Sequence, residues 1–119
     1  MAADPRDLGR RAEEAAVRHL RWRGWRICAR NWVGGGGEID IVASRWRTLL
    51  VVEVRRREDH AAGGRSVDAA KLARLQRAAR ALVRQHGLHR YRLRFDLFLY
   101  DARGRLERRC DLLRRPWRA

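Results

Sequence analysis

The chain has 119 residues, 45% of them hydrophobic, and carries a formal net charge of +15 at pH 7. This length predicts one domain over residues 1–119, with its core at about 7–112 and a basic tail at 113–119, and leaves too few residues for a second core. So large a positive charge exceeds what solubility requires and favours a polyanionic partner such as nucleic acid.

The composition also indicates the cellular compartment of the protein. No apolar run reaches the roughly 18 residues of a membrane-spanning helix, and the first residues lack the apolar segment of a secretory signal. Cys28 and Cys110 are too few and too far apart for a disulfide framework or a zinc site. We therefore expect a cytoplasmic protein without membrane contact, whose two thiols are reduced and mostly buried.

The first predicted element is a helix that begins after Asp7 as its N-cap and runs to about Arg23, with Gly24 as its end. Small and apolar residues recur at helical spacing and form its predicted buried stripe: Leu8, Ala12, Ala15, Ala16, His19 and Leu20. At about 100° per residue, Glu13 lies at the edge of this stripe and Glu14 points to solvent. Glu13 is the better candidate for a functional carboxylate, with a solvated helix glutamate as the alternative.

Three strands are predicted next. Weak alternation over residues 25–33 indicates the first strand, and the four glycines at 34–37 are interpreted as a flexible connector between antiparallel strands. Residues 37–41 and 49–57 indicate two short buried strands, because β-branched and apolar residues fill most of their positions. We expect them to form a hairpin that turns at Trp46-Arg47.

This hairpin would bring charged residues onto one face of the sheet. Its register sets Asp40 opposite Glu53 and Glu38 opposite Arg55, with the β-carbons of each pair about 4.5–5.5 Å apart. Two opposed carboxylates beside apolar residues repel each other and lose hydration. A divalent cation with oxygen ligands would relieve both costs. The alternative is a structural ion pair between a carboxylate and an arginine at the end of a strand.

A second helix is predicted from Ser66, as its cap, to about His86, with Gly87 as its end. Its apolar stripe has five members: Leu72, Leu75, Ala79, Leu82 and Val83. Lys71, the only lysine of the chain, lies near the start of this helix, where the helix dipole disfavours a cation. It is either a solvated helix lysine or a compact ammonium that arginine does not duplicate.

The last elements complete the predicted fold. Clean alternation over residues 90–100 predicts a fourth strand, and residues 106–112 predict a short edge strand. Helix, three strands, helix and strand together indicate an α/β domain with a mixed central sheet flanked by helices.

Tryptophans stand among arginines at several places. Trp46, at the predicted hairpin tip, is the best candidate to stack an unpaired base while Arg45, Arg47 and Arg56 contact phosphates. Core packing is the alternative for each tryptophan, and we expect Trp25 in the core.

The two predicted hairpin strands also carry a resemblance. Gly37-Glu38-Ile39-Asp40, then Val52-Glu53-Val54-Arg55 with Arg57 beyond, resembles the YraN-like family of small uncharacterised bacterial proteins. The match also takes in residues outside the hairpin: Gly9, Ala12-Glu13, Ala16, Leu20, Gly24, Arg30-Asn31, Lys71 and Arg94-Phe95-Asp96. That family is similar to Holliday-junction resolvases and other nucleases of the restriction-endonuclease-like fold, whose motif is an Asp on one strand and Glu-x-Lys on the next. The resemblance implies their αβββαβ core.

The resemblance implies a metal-dependent endonuclease that acts on DNA in preference to RNA. Asp40 and Glu53 would hold Mg²⁺ or Mn²⁺, and Glu13 would be a third carboxylate that binds the metal directly or supports it. Arg55 departs from the nuclease motif, because it takes the position of the lysine. Arginine stays protonated, so it would bind a phosphate oxygen without acting as a base.

Three further residues are candidates for catalysis or phosphate binding. Glu38 either orients Arg55 as an ion pair or only neutralises it within the fold. Arg57 follows on the same strand. Lys71 could supply the missing ammonium, since some relatives of this fold carry the active-site lysine on a helix.

Two other functions compete with the enzyme. A nucleic-acid-binding module without catalysis is favoured by Arg55, whereas Asp40 and Glu53 favour the nuclease. A basic assembly or ribosome-associated factor would explain the charge but not the acidic pair. The sequence leaves the oligomeric state open, with a homodimer as one option.

Overall fold

The elements follow one another in the predicted order. The structure, a computed structural model, describes residues 4–56 and 68–113. Its elements are α1 (Pro5–Trp22), β1 (Arg26–Gly34), β2 (Gly37–Arg45), β3 (Thr48–Arg56), α2 (Ala69–His86), β4 (Arg92–Tyr100) and β5 (Leu106–Arg109). This confirms the αβββαβ core with an additional C-terminal strand. Three groups of residues lie outside the described residues: Arg57, the predicted cap Ser66 and the tail at 114–119.

The five described strands form one mixed sheet in the order β1-β2-β3-β4-β5. Among them β3 and β4 run parallel, and the other neighbours are antiparallel. The parallel pair requires a crossover, which contains α2. Apolar side chains on one face of the sheet pack with α1: Ile41, Ala43, Leu50, Val52 and Phe98. The other face packs with α2 through a second set: Ile39, Val42, Leu49, Val51 and Phe95.

The hairpin of β2 and β3 turns at Trp46-Arg47 as predicted. Its ladder has five pairs, from Arg45–Thr48 to Ile41–Val52, in the predicted register. The ladder ends at Ile41–Val52, so the predicted ladder pairs Asp40–Glu53 and Glu38–Arg55 do not form in the described strands. That part of the predicted register is wrong, because β2 and β3 separate beyond Ile41.

The separation coincides with a break in the side-chain alternation of β2. Ile39 packs on the α2 face of the sheet, whereas Ile41 packs on the α1 face with Val52 and Val54. Residues two apart on a regular strand would share a face, so the regular alternation of β2 is interrupted between Ile39 and Ile41. Asp40 lies at the break.

Both helix starts differ from the predicted ones. Asp4 caps α1 by accepting a hydrogen bond from the Arg6 N–H (2.9 Å), and Pro5 occupies the first turn, where its missing N–H has no cost. The predicted cap, Asp7, instead pairs with Arg10 in the first turn. Asp68 caps α2 by accepting from the Lys71 N–H (2.8 Å). Gly87 ends α2 in the left-handed conformation, as predicted.

The glycines at 34–37 form a tight turn packed against α2. Gly34 pairs with Gly37, and Gly35 and Gly36 both have positive φ, which is the conformation that short hairpin turns favour. A Cβ on Gly37 would lie 2.6 Å from the carbonyl oxygen of Arg74, and one on Gly35 would lie 2.6 Å from that of Arg77. The turn is therefore a close contact between α2 and the sheet, and not a loose connector.

Two further expectations can be compared with the structure. Cys28 and Cys110 are free but exposed, so the expectation of buried thiols is wrong. Trp25 is in the core, as expected. No helix within residues 4–56 and 68–113 is long and apolar enough to cross a membrane.

Candidate functional site: a carboxylate cleft at the end of β3

The candidate site lies where β2 and β3 separate. Asp40, Glu53 and Lys71 line two adjoining depressions that we call together the carboxylate cleft. Its other polar lining residues come from both sides: Glu38 and Arg74 from one, and Glu13, Arg55 and Arg56 from the other. Both helices and the two central hairpin strands thus contribute charged side chains to one surface.

Asp40 is positioned by the backbone of the neighbouring strand. Its Oδ2 accepts a hydrogen bond from the Val54 N–H at 2.8 Å, just beyond the last ladder pair. The side chain therefore takes the place of a backbone partner for β3. This contact turns the carboxylate toward β3 and the cleft.

The surroundings of Asp40 disfavour the charged form of its carboxyl. Burial raises its pKa from 3.8 to about 8, and the negative charge of Glu53 is the next cause. Glu13 adds a smaller contribution in the same direction, whereas the Val54 N–H opposes it. A cation bound between Asp40 and Glu53 would lower the cost of ionising Asp40 at this position.

Glu53 is the buried member of the pair, with 5% of its surface exposed. Its Oε2 lies 3.0 Å from the Nζ of Lys71 and 3.3 Å from the Nε of Arg55. A carboxylate this deeply buried is costly unless it is paired. Two cations therefore compensate its charge, and one of them, Lys71, keeps a side chain that is 40% exposed.

Lys71 reaches the cleft because of how α2 begins. The Asp68 cap holds the first turn of α2, and the contact of Gly37 with the backbone at Arg74 sets the helix close to β2. The chain's only lysine then meets Glu53, which lies on the neighbouring strand β3. A site lysine was one of two alternatives that the sequence left open, and the ion pair with Glu53 excludes a lysine that contacts only solvent.

Glu13 approaches the cleft from α1. Its side chain is 20% exposed, and its carboxylate lies 3.9 Å from the guanidinium of Arg30 on β1. Within the described residues, no three His, Cys, Asp or Glu side chains lie close enough together to form a metal site. Glu13 is therefore near the pair electrostatically, and its role as a third ligand stays a prediction.

Comparison with known proteins shows the family to which this chain belongs. The sequence model of the uncharacterised protein family UPF0102 matches residues 12–99, which include Glu13, Asp40, Glu53 and Lys71. The chain belongs to this family. A UPF0102 protein of Paenarthrobacter aurescens is 43% identical over 109 residues, which cover 90% of each chain. One of Myxococcus xanthus is 40% identical over 104 residues, covering 86% of this chain and 82% of the relative.

A third UPF0102 protein, from Porphyromonas gingivalis, is 42% identical over 97 residues, covering 80% of this chain and 71% of the relative. These relatives confirm that the chain belongs to the YraN-like family (UPF0102), as the hairpin motif predicted. The names of these relatives assign no activity.

The predicted nucleic-acid-binding residues divide into two groups. Arg56 lines the carboxylate cleft. Arg45, Trp46 and Arg47 lie at the opposite end of the hairpin, where Trp46 is 95% exposed. Trp46 is seven residues from Glu53 along the chain, or about 23 Å at roughly 3.3 Å per residue.

One cleft residue was missed by the sequence reasoning. Arg74 lines the cleft one helical turn after Lys71. Its spacing of three residues from Lys71 was the available signal, since residues three apart lie on the same helical face. Arg74 was not singled out from the sequence, because arginine is abundant throughout this chain.

Proposed function

We propose that this UPF0102 protein is a metal-dependent phosphodiesterase, an endonuclease that cleaves DNA. The observation that carries the proposal is the convergence of Asp40, Glu53 and Lys71 in one cleft. Two carboxylates and an ammonium in this arrangement suit phosphodiester hydrolysis, in which a charged phosphate must be bound and a water activated.

The donor set of the cleft fits Mg²⁺ or Mn²⁺. Both carboxylates are hard oxygen donors, and Mg²⁺ commonly uses only one or two carboxylates together with waters and substrate phosphates. The raised pKa of Asp40 reflects burial and the negative charge of Glu53, and a divalent cation bound to both carboxylates would oppose that effect. When bound, the metal would lower the pKa of a coordinated water and stabilise negative charge on the phosphate.

The remaining residues of the cleft have distinct roles in this proposal. Lys71 lies 3.0 Å from Glu53 and would place its ammonium beside the scissile phosphate, in the role that the resemblance assigns to the motif lysine. Arg55 would hold Glu53 in position and contact a phosphate oxygen, as a permanent cation. Arg56 and Arg74 would bind flanking phosphates. The net charge of +15 supports a polyanionic substrate.

Single-turnover cleavage of DNA with Mg²⁺ or Mn²⁺ tests the proposal. Labelled branched, flap, duplex and single-stranded substrates should be compared, and at least one should be cut by the wild type and not by Glu53→Gln. Cleavage that persists in Glu53→Gln would come from a co-purified nuclease and would overturn the proposal.

Metal binding can be tested without cleavage. Mn²⁺ at 100 times its dissociation constant should stabilise the wild type by about 2.7 kcal/mol. Asp40→Asn removes a proposed ligand and should abolish this gain, whereas Glu14→Gln, at an exposed position of α1 that does not line the cleft, should retain it. Equal stabilisation of all three proteins by Mn²⁺ would show that Asp40 is not a ligand.

A nucleic-acid-binding module without catalysis is the second candidate. It is favoured by Arg55 at the lysine position and by the lack, within the described residues, of a third carboxylate at ligand distance. This function predicts DNA binding with a steep dependence on salt concentration, no cleavage of any substrate and no stabilisation by Mn²⁺.

A further inference from the structure

The end of the molecule opposite the carboxylate cleft combines exposed aromatic rings with arginines. Trp46 and Tyr91 line one depression together with Arg47 and Arg90. Trp46 is 95% exposed and Tyr91 is 37% exposed. We call this depression the basic aromatic end, and we include in it the arginines of the neighbouring chain segments: Arg21, Arg23, Arg26, Arg45 and Arg92.

Three chain segments meet at this end. The Arg92 N–H donates to the Arg47 carbonyl oxygen (2.8 Å), which joins the start of β4 to the hairpin tip. The Arg45 guanidinium donates to the Arg23 carbonyl oxygen (2.9 Å) and stacks over Trp25 at 4.2 Å, which joins the end of α1 to the same tip. The last turn of α1 also carries Trp22, which is 91% exposed.

The chain segments that form this end carry positive charge without acidic residues. Residues 19–30, 41–52 and 86–95 contain no Asp or Glu. Seven arginines belong to the parts of these segments nearest the end: Arg21, Arg23, Arg26, Arg45, Arg47, Arg90 and Arg92. By contrast, the arginines of the carboxylate cleft have Glu53 and Glu13 beside them. The basic aromatic end therefore offers both a strong positive field and flat rings in contact with solvent.

We propose that the basic aromatic end binds an unpaired, single-stranded segment of the DNA substrate. The proposal rests on the proposed function, because it assigns this surface to the same substrate. Aromatic rings stack on unpaired bases while arginines contact the phosphates between them. In a duplex the bases are stacked on each other, so the rings would gain little.

An anionic membrane surface is the main competitor for aromatic rings and arginines, but the geometry favours a strand. Trp46 stands on a two-residue turn beside Tyr91, with arginines on both sides. A membrane surface would call for an amphipathic helix with a broad apolar face, and within the described residues the apolar faces of both helices are packed on the sheet.

Because the basic aromatic end and the carboxylate cleft lie at opposite ends of β3, a DNA bound to both would run along this strand. β3 runs from this end to the cleft, and about 23 Å separate Trp46 from Glu53 at roughly 3.3 Å per residue. At about 3.4 Å per base pair, this corresponds to roughly seven base pairs. A DNA with an unpaired arm next to a duplex would therefore occupy both sites.

Equilibrium binding of labelled single-stranded dT20 and of a 20-base-pair duplex tests the proposal. Both are measured with EDTA at one fixed low salt concentration, so that the result does not depend on metal binding or cleavage. Trp46→Ala should weaken dT20 binding by about 5- to 150-fold, the range that loss of one stacked base produces, and should weaken duplex binding less than twofold. Trp46→Phe keeps a ring and should retain most of the affinity.

Arg103→Ala is the matched control. Arg103 is exposed in the turn after β4, at the cleft end of the sheet. It should weaken dT20 binding less than threefold. Melting temperatures equal to that of the wild type would show that each variant folds, which we expect because the Trp46 side chain is almost fully exposed.

Several outcomes would overturn the proposal. They are an unchanged dT20 affinity in Trp46→Ala, equal losses for dT20 and duplex, or a loss in Arg103→Ala as large as in Trp46→Ala. Tighter binding to phosphatidylserine vesicles than to dT20 would assign the surface to membranes. Conversion of a dimer to a monomer by Trp46→Ala, with dT20 affinity unchanged, would assign it to a second copy of the chain. Each outcome leaves the Mn²⁺ melting test of the cleft to be decided on its own.

Discussion

Asp40→Asn should stabilise the metal-free protein, and the gain should increase as the pH rises from about 4 to about 8. The native Asp40 carboxyl keeps its proton up to a pKa of about 8, whereas a carboxyl of the unfolded chain loses it near 3.8. Between these values the native state binds more protons, so the free energy of unfolding of the wild type falls as the pH rises. Asn has no proton to lose, and its side-chain oxygen can still accept from the Val54 N–H.

The magnitude follows from the pKa difference. A shift of about 4 pH units at 1.36 kcal/mol each sets an upper limit of about 5–6 kcal/mol above pH 8. Partial exposure of Asp40 and the cations that already compensate Glu53 reduce this value. We expect about 2–3 kcal/mol at pH 8, or roughly 10 °C in melting temperature for a chain of this length, and almost no difference at pH 4.

Thermal or urea unfolding of the two proteins in EDTA at several pH values measures this gain. The comparison between variant and wild type cancels groups that titrate in both, such as His19, whose pKa is lowered by burial and by nearby arginines. A stability difference for Asp40→Asn that is the same at pH 4 and pH 8 would refute the assigned pKa and the carboxylate pair.

Three other substitutions test the cleft. Lys71→Ala should lower the single-turnover cleavage rate at least 100-fold and the DNA affinity less than threefold. The reason is that a contact made in the transition state affects the rate more than it affects binding. Equal losses in rate and affinity would show that Lys71 has a binding role only. Arg55→Lys should retain or increase the cleavage rate, and complete inactivation would show that the guanidinium itself is required. Gly37→Ala should lower the free energy of unfolding by about 1–3 kcal/mol, because the added Cβ would overlap the Arg74 carbonyl oxygen. Gly9→Ala should be neutral or stabilising, because a Cβ added at Gly9 would have no atom within 4 Å.

Local patterns were sufficient to predict the elements and their order. Apolar residues at helical spacing placed α1 and α2, and the alternation over β4 and the run of β-branched residues in β3 placed two strands of the sheet. Gly87 was predicted as a helix end because few other residues adopt the left-handed conformation readily. The helix starts were missed, because Asp4 and Asp7, like Ser66 and Asp68, are all acceptable caps by residue type.

The sequence by itself also determined which carboxylates to consider. Asp40 and Glu53 interrupt apolar strands, and such interruptions are costly unless the charges are paired or functional. Trp46 could be assigned to an exposed turn, since the register of the two neighbouring strands follows from their hydrophobic residues.

Only the tertiary structure decided how these carboxylates meet. A regular ladder would have set Asp40 directly opposite Glu53, but the strands separate and Asp40 accepts from the Val54 N–H instead. Lys71 reaches Glu53 from a different element, because the glycine turn at Gly37 lets α2 pack closely on the sheet. Contacts between residues far apart in the chain depend on how whole elements pack, and no local periodicity encodes them.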